Sequence, residues 1–396
     1  MSTSDPVVIV GMARTPMGGF QGDLADAKAA ELGTVAIKAA LERAKVMGED
    51  VDEVIMGCVL PAGQGQAPAR QASIGAGVPK DVGATTINKM CGSGMKAVMF
   101  ASDMIGSGNN RVMVAGGMES MTNAPYLLDR ARGGYRMGHG RVLDHMFLDG
   151  LEDAYEPGKL MGVFAENTAQ KYQFTREQQD QYAITSLKRA QAAIKDGSFE
   201  REVVPVTIKG RKGDVVVKQD EQPLKANPDK IPQLKPVFAK DGTVTAANSS
   251  SISDGAAALV LMRRSEAERR GLTPLAAILG HASHAHEPAW FTTAPVGAID
   301  KLLKKLNTTA DRIDLFEVNE AFAVVTMAAM RDCKLPHEKV NVHGGACALG
   351  HPIGASGARI LVTLLAALQK YDLKRGIGTL CIGGGEATAV AIERLT

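Results

Sequence analysis

Residues 92–96 read Gly-Ser-Gly-Met-Lys, and residues 355–359 read Ala-Ser-Gly-Ala-Arg. A second pair of similar stretches precedes them: residues 51–55 read Val-Asp-Glu-Val-Ile, and residues 313–317 read Ile-Asp-Leu-Phe-Glu. The spacing agrees as well, since Cys91 lies 39 residues after Asp52 and His351 lies 37 residues after Asp314. Similarity that returns at a matched spacing indicates an internal duplication, so we expect two halves with the same fold.

Short β-rich runs alternate with longer helical patterns in both halves. Apolar and β-branched runs predict strands at 6–11, 52–57 and 111–117 in the first half and at 276–280, 314–319 and 378–385 in the second. Amphipathic or apolar patterns predict helices at 26–44 and 356–370. Strands alternating with helices are typical of an α/β fold in which helices cover buried strands.

Residues 120–248 do not follow the repeat. They contain glycine-rich turns, a charged segment at 209–240, and a helix predicted to begin near Thr175, which forms a capping-box pair with Gln178. We interpret this region as an insertion that carries substrate contacts. The expected domains are therefore 1–119 together with 249–271, an inserted loop domain at 120–248, and a second α/β half at 272–396.

Composition excludes several classes of protein. The chain has 396 residues, of which 45% are apolar and 22% charged, a balance typical of globular proteins and not of disordered or coiled-coil chains. A net charge of +2 gives no basic surface for nucleic acid. Five scattered cysteines predict free thiols in a reducing cytoplasm. No apolar run approaches the roughly 20 residues of a membrane span.

The segment around Cys91 is the strongest candidate for chemistry. Residues 88–94 read Asn-Lys-Met-Cys-Gly-Ser-Gly, after a β-branched run at 85–87 and before a predicted helix at 95–105. A cysteine where a strand turns into a helix is close to free backbone amides and to the positive end of the helix dipole, which favour a thiolate. The alternative is a small apolar side chain buried in the core.

Three further segments carry candidate groups. His351 stands in a rigid Gly-His-Pro frame before a helix, as a general base requires, whereas His343 is predicted to lie in a strand with its packing satisfied. Cys381 precedes three glycines, which could present a second thiol beside exposed amides. Asn319 either caps a helix or faces a site as a polar group.

Other chemistries find little support in the sequence. His281, His284 and His286 have a spacing that fits no usual metal ligand set, so no metal is expected there. The glycine turns lack the lysine of a phosphate-binding loop and the strand-to-helix context of a dinucleotide fold. Nucleotide hydrolysis and NAD chemistry are therefore not indicated.

In order along the chain, these segments resemble the thiolase family, and specifically its short-chain, acetoacetyl-CoA type. The resemblance covers nearly all of the sequence, from Arg14-Thr15-Pro16 to the last glycine turn at 383–385. It implies duplicated βαβαβαββ halves packed as a five-layer α-β-α-β-α sandwich with an inserted loop domain. The expected fold is thus the thiolase-like α/β fold.

The resemblance also implies roles for single residues. Cys91 matches the acyl-accepting nucleophile, His351 its base, and Cys381 the acid/base that acts on the second substrate. Asn319 matches a residue that holds a water and, with His351, forms one oxyanion site, while the amides of Cys91 and Gly383 form another. Ser250 and Met161 match contacts to the pantetheine arm, and Leu160 beside them departs from the family, since many short-chain thiolases have histidine there. Tyr182 lies in a segment that lines a potassium site in some relatives. The candidate cations for the CoA phosphates, all in the insertion, are Lys209, Arg211, Lys212 and Lys225.

The implied reaction is the reversible condensation of two acetyl-CoA molecules to acetoacetyl-CoA and CoA through an acetyl-Cys91 intermediate. CoA thioesters are then the substrates, and no other cofactor is expected. The family pattern further implies a place in fatty acid metabolism and a cytoplasmic homo-oligomer, either a dimer or a homotetramer built as a dimer of dimers. The alternatives are a degradative 3-ketoacyl-CoA thiolase of broader chain length and a thiolase-like scaffold without catalysis.

Overall fold

The computed structural model describes residues 5–211 and 213–396. The strands are β1 (Val7–Arg14), β2 (Gly18–Gly19), β3 (Glu53–Gly57), β4 (Gly83–Ile87), β5 (Val112–Ser120), β6 (Tyr126–Leu127), β7 (Leu143–Asp144), β8 (Val206–Ile208), β9 (Val215–Val217), β10 (Ser253–Arg263), β11 (Ala276–Ala285), β12 (Leu315–Val318), β13 (Arg375–Ile382) and β14 (Glu386–Arg394).

The α-helices are α1 (Ala29–Ala44), α2 (Pro68–Gly75), α3 (Ser93–Gly106), α4 (Met161–Tyr172), α5 (Arg176–Lys195), α6 (Glu221–Lys225), α7 (Arg264–Arg269), α8 (Ala294–Lys305), α9 (Ala323–Asp332), α10 (Ala346–Leu349) and α11 (Ser356–Lys370). A π-helix covers Phe147–Leu151, and short 3₁₀ helices cover Gly48–Asp50, Ser198–Arg201, Pro228–Gln233, Pro288–Thr293, Ala310–Arg312 and His337–Lys339. None of the helices in the described ranges is long and apolar enough to cross a membrane.

The strand order repeats between the two halves. In the first half it is β4-β3-β5-β10-β1, with β3 parallel to β4 and β5 and with β10 antiparallel to its neighbours. In the second half it is β12-β13-β14-β11, with β12 and β13 parallel and β14 antiparallel to its neighbours. Within the described ranges, the second half has no full counterpart of β4. At that edge, next to β12, one parallel bridge joins Phe316 and Val340. The predicted duplication is therefore present in the topology.

Helices and half-sheets form five layers. Helices α1 and α2 cover the outer face of the first half-sheet, and α8 and α9 cover the outer face of the second. Helices α3 and α11 lie between the half-sheets and contact strands of both, with an apolar core formed by residues such as Met95, Leu361 and Leu365. The half-sheets join along one edge, where β1 pairs with β11. The expected five-layer thiolase-like fold is confirmed.

Several predicted boundaries shift for physical reasons. Helix α1 begins at Ala29 instead of residue 26, because the Glu31 carboxylate accepts a hydrogen bond from the Lys28 N–H and fixes the first turn there. Strand β13 ends at Ile382 and does not reach residue 385, because the backbone at Gly384 and Gly385 has positive φ and turns the chain towards β14.

The insertion contains the helix predicted from its capping box. Helix α5 begins at Arg176, and Thr175 and Gln178 cap its first turn reciprocally. Helices α5 and α6 pack against α10, which belongs to the long loop that leads into α11. The insertion thus supports the loop that carries His351. The domain boundaries drawn from the sequence stay a prediction.

The first turns of α3 and α11 touch through two glycines. A Cβ added to Gly94 would lie 2.8 Å from the backbone nitrogen of Ala358, and one added to Gly357 would lie 2.4 Å from the backbone nitrogen of Met95. Real Cβ atoms do not approach backbone atoms this closely, so only glycine permits the contact. Gly94 and Gly357 occupy equivalent positions in the repeated stretches, so the duplication itself brings the starts of the two central helices together.

Gly357→Ala should separate these helices. We expect the substitution to reduce stability by about 1–3 kcal/mol, as overpacking of a core does, and to lower the thermal midpoint measured by circular dichroism. Gly106→Ala is the matched control, because Gly106 lies in α3 with open space where its Cβ would be. Equal midpoints for the two variants would contradict a close contact at Gly357.

Candidate active site

Cys91 lies in a tight turn between the end of β4 and the start of α3. Met90, just before it, has φ of +48°, a left-handed conformation that is uncommon outside glycine and that clusters at functional sites. The Ser93 hydroxyl holds the turn, because it accepts from the Lys89 N–H at 2.8 Å and donates to the Met90 carbonyl at 2.6 Å. The turn presents the Cys91 thiol to a cavity.

This cavity has a volume of about 380 Å³ and mostly apolar walls. It brings together six of the predicted residues: Cys91, His351, Gly383, Leu160, Met161 and Ser250. Aromatic side chains complete the walls, among them Phe147, Phe238, Phe291 and Phe322. Such a cavity suits a long, largely apolar substrate arm whose reactive end meets a few polar groups.

His351 is held in one orientation and one tautomer. Its Nδ1 lies 2.6 Å from the Ser356 hydroxyl oxygen, and that hydroxyl donates its hydrogen to the Pro352 carbonyl at 3.0 Å. With the hydroxyl hydrogen directed at the Pro352 carbonyl, Nδ1 is assigned the ring proton and donates it to Ser356. The buried Nε2 has no hydrogen-bond partner in the described structure and keeps its lone pair. Burial, aided by the Arg359 charge, lowers the pKa of His351 to about 3, so the ring is neutral.

The Cys91 thiol is protonated at rest, contrary to the expectation of a thiolate. The backbone N–H groups of Gly383 and of Cys91 itself act on the sulfur and lower its pKa, but desolvation by burial is the larger effect and raises the pKa to about 11. Deprotonation must therefore accompany the reaction, and it needs a base nearby. A neutral imidazole on the same cavity wall meets that requirement.

Cys381 lies at the end of β13 and is fully buried. It belongs to the same apolar cluster as Phe291 and Phe322, which line the cavity. Burial raises the pKa of its thiol well above the usual value, and the nearby Cys91 adds to this effect. A Cβ added to Gly92 would lie 2.4 Å from Cδ1 of Ile382, so the segments that carry the two thiols touch.

Asn319 does not cap a helix. Phe322 occupies the N-cap of α9, and the Asn319 side chain is buried, with neither amide atom hydrogen-bonded to any of the residues that the structure describes. The nearby backbone is tied to the cavity, since the Ser250 N–H donates to the Ala321 carbonyl at 2.9 Å and the His351 N–H donates to the Ser251 carbonyl at 3.1 Å. A buried amide without partners is suited to holding a water molecule.

The predicted cations lie elsewhere. Lys225 is exposed and pairs with Glu221 and with Asp23, and Arg211 and Lys209 are exposed beside the β8–β9 hairpin. Lys212 lies outside the described residues. The structure offers another cation, because Lys230 lines a second cavity of about 230 Å³ that shares Ala246 and Ser251 with the first.

Two further predictions concern His343 and Tyr182. The prediction for His343 is wrong in part: it lies in a turn instead of a strand, and neither buried ring nitrogen is hydrogen-bonded, although the ring packs against Phe199 and Tyr371. The Tyr182 hydroxyl donates to Glu320 and accepts from Asn341. These two hydrogen bonds give the Tyr182 hydroxyl both a donor and an acceptor contact. The potassium site stays a prediction.

The sequence analysis missed Glu119 and Ser356. Ser356 could have been found from the repeat, because its counterpart Ser93 also follows a candidate reactive residue and bonds the turn before its helix. Glu119 had one signal, a carboxylate inside a strand that is otherwise apolar and buried along its length.

Comparison with known proteins agrees with this geometry. The family model "Thiolase, N-terminal domain" matches residues 7–265, and "Thiolase, C-terminal domain" matches residues 272–394. The chain belongs to the thiolase family. Among similar proteins, the acetyl-CoA acetyltransferase of Escherichia coli is 52% identical over 391 residues, 98% of this chain and 99% of the relative. That of Cupriavidus necator is 51% identical over 390 residues, 98% of this chain and 99% of the relative.

Solved structures of thiolases share the fold. The Acat5 thiolase of Ascaris suum, solved in complex with coenzyme A, has a TM-score of 0.93 and 43% identity over 98% of this chain and 100% of its own. The Bacillus anthracis acetyl-CoA acetyltransferase has a TM-score of 0.96 and 41% identity over 98% and 99%.

Ser356→Ala should slow this thiolase by releasing the His351 ring. Without the hydroxyl, Nδ1 loses the acceptor that fixes its proton, and we expect the rate of enzyme acetylation to fall by roughly 10- to 100-fold, as misplaced catalytic groups do. Rapid-quench measurement with labelled acetyl-CoA gives the rate. The control is Ser107→Ala, which removes a hydroxyl bonded to the Met104 carbonyl at the far end of α3. An acetylation rate unchanged in Ser356→Ala would contradict this role.

Proposed function

We propose that this thiolase is an acetyl-CoA acetyltransferase that condenses two acetyl-CoA molecules reversibly to acetoacetyl-CoA and CoA. The observation that carries the proposal is the meeting of Cys91, His351 and Gly383 at one apolar cavity, with the buried Cys381 packed behind the cavity walls formed by Phe291 and Phe322. The names of the relatives from Escherichia coli and Cupriavidus necator support the same activity.

The first half-reaction acetylates Cys91. His351 Nε2 takes the thiol proton while the sulfur attacks the carbonyl carbon of acetyl-CoA, and the amides of Cys91 and Gly383 stabilise the oxyanion that forms. The tetrahedral intermediate collapses to a thioester on Cys91. The departing CoA sulfur takes a proton from Cys381, which leaves an imidazolium on His351 and a thiolate on Cys381.

The second half-reaction forms the carbon–carbon bond. The Cys381 thiolate removes a proton from the α-carbon of a second acetyl-CoA, and its raised pKa makes it a strong enough base for this weak acid. His351 and a water held by Asn319 stabilise the enolate oxygen. The enolate attacks the acetyl group, the Cys91 sulfur leaves, and His351 returns its proton, so all three groups regain their resting states.

The cavity wall next to Cys91 favours a short acyl group. Met90, Leu151 and Ile353 line the cavity and pack in one apolar cluster with the buried side chains of Val59 and Leu60. A tightly packed cluster of this kind leaves little room for a long chain. Leu160, where many short-chain thiolases carry histidine, also lines the cavity and adds apolar surface. We therefore place acetoacetyl-CoA ahead of longer 3-ketoacyl-CoA substrates.

The nucleotide end of CoA is proposed to occupy the second cavity. It adjoins the main cavity at Ala246 and Ser251, and it combines apolar walls from Ile231 and Leu234 with the ammonium of Lys230. Among the described residues, no carboxylate forms an ion pair with Lys230, whereas Lys225 pairs with Glu221. An unpaired cation beside apolar walls suits a phosphorylated adenosine.

We expect the enzyme to be a cytoplasmic homo-oligomer. Its five cysteines are unpaired, which fits a reducing compartment. Exposed apolar side chains, including Tyr126, Met137 and Val142, gather in the segment after β5 and would be covered by another copy of the chain. We propose a dimer or a dimer of dimers and a role in fatty acid metabolism.

Substitution of the two thiols separates the half-reactions. Cys91→Ala should lose the covalent label after incubation with radiolabelled acetyl-CoA, because no nucleophile remains. Cys381→Ser should still become labelled, because a CoA thiolate can leave without being protonated, but it should fail to form acetoacetyl-CoA, because an un-ionised serine hydroxyl cannot remove the α-proton. Retention of the label by Cys91→Ala would refute the proposed nucleophile, and normal condensation by Cys381→Ser would remove that residue from the mechanism.

Lys230→Ala tests the nucleotide site. We expect a KM for CoA in thiolysis raised several-fold with kcat nearly unchanged, because the lost contact is far from the reacting atoms and equal in ground and transition states. Lys225→Ala is the control and should change neither constant. If the two variants behave alike, Lys230 does not contact the phosphates.

A further inference from the structure

Glu119 is a buried carboxylate outside the groups that the mechanism uses. It lies near the end of β5 and has no exposed surface. Its two oxygens accept hydrogen bonds from the backbone N–H groups of Val59 at 2.9 Å, Leu60 at 3.1 Å and Gly354 at 2.8 Å. Three backbone donors on one carboxylate form an unusually complete set of charge-assisted contacts.

These contacts join loops that face the active site from different halves of the fold. Val59 and Leu60 belong to the first half and pack in one apolar cluster with Ile353, which lines the cavity. Gly354 belongs to the second half and lies three residues after His351. The backbones also meet directly, since a Cβ added to Gly117 of β5 would lie 2.0 Å from the Gly354 carbonyl oxygen. Glu119 therefore fastens the His351 loop to the half that carries Cys91.

We infer that Glu119 is a positioning residue that sets the separation of Cys91 and His351. This inference rests on the roles given to Cys91 and His351 in the proposed function. General base catalysis requires the base to lie within hydrogen-bond reach of the proton that it removes, so a loop released by even 1 Å loses rate.

The charge of Glu119 has a separate, measurable effect. It is one of the groups that raise the pKa of Cys91, together with desolvation. The titratable groups around this thiol are Glu119, His351 and Cys381, and Cys58 lies against Glu119 itself. Burial raises the pKa of Glu119 to about 7, while its backbone donors favour the charged form. Removal of the negative charge should lower the pKa of Cys91.

Glu119→Gln tests whether Glu119 positions the His351 loop or only stabilises the fold. The amide can accept from the N–H groups of Val59 and Gly354 only if its NH₂ group faces the N–H of Leu60, so one contact becomes repulsive. We expect acetylation of Cys91 by labelled acetyl-CoA to slow by about 10²-fold. We also expect the pH profile of Cys91 alkylation by iodoacetamide, followed by mass spectrometry, to move to lower pH.

Asp254→Asn is the matched control. Asp254 is also a buried carboxylate, on the neighbouring strand β10, but it accepts from Thr122 and Ser120, and within the described ranges no hydrogen bond joins it to Val59, Leu60 or Gly354. Its variant should keep the acetylation rate and the alkylation profile. Glu119→Asp keeps the charge but shortens the side chain by one methylene. The pH profile of Cys91 alkylation should therefore stay unchanged, while acetylation of Cys91 slows.

The acetylation rates of these variants decide whether Glu119 has the positioning role. Acetylation by Glu119→Gln within twofold of the unmodified enzyme, or equal slowing in Asp254→Asn, would overturn the positioning role. If Glu119→Gln does not fold, Glu119→Asp decides, and a full acetylation rate in that variant would overturn it. Failure of the proposed function would show differently, as a covalent label that persists in Cys91→Ala.

Discussion

The contact between the first turns of α3 and α11 determines where the reactive groups of this thiolase lie. Cys91 comes just before one helix and His351 just before the other, so any separation of the helices separates nucleophile and base. The contact exists because Gly94 and Gly357 let backbone meet backbone. The requirement is steric, and it recurs at equivalent positions of a repeated sequence. The two halves therefore meet with their helix starts adjacent, and the site forms where they meet.

The asymmetry between the halves gives each its own chemistry. In the first half, β4 runs directly into the turn of Cys91 and holds the thiol at a fixed place. In the second half, the equivalent strand is reduced to the bridge between Phe316 and Val340. The residues that follow this bridge form α10 and the loop before α11 instead of a strand. That loop carries His351. A strict repeat would have placed two similar turns face to face, whereas the shortened strand allows an imidazole to approach a thiol.

The sequence predicted the elements and most of the residues that meet at the cavity, because these depend on local patterns and on the repeat. Strand and helix periodicity located the layers, and the glycine turns located Cys91, His351 and Cys381 at element ends. It did not predict Glu119, whose importance depends on backbone donors 60 and 235 residues away. It also gave the wrong protonation state for Cys91, because proximity to a helix start is visible in sequence and the depth of burial is not. It named Lys225 and not Lys230 for the CoA phosphates, because the cavity that Lys230 lines is formed by segments that are distant in sequence.

One physical cause explains the charge states of the whole site. Burial raises the pKa of both thiols and lowers the pKa of His351, so all three groups are neutral at rest. An apolar cavity can hold three neutral groups without the large desolvation penalty of an ion pair. In the proposed mechanism, charge first develops on the substrate oxygen that the donors face, and the acetylated enzyme then holds an imidazolium and a thiolate until the second half-reaction removes them. The amides of Cys91 and Gly383 keep their direction because β13 and α3 fix the backbone, and they need no rearrangement when the oxyanion forms. The rigid fold thus supplies the stabilisation that the neutral side chains cannot.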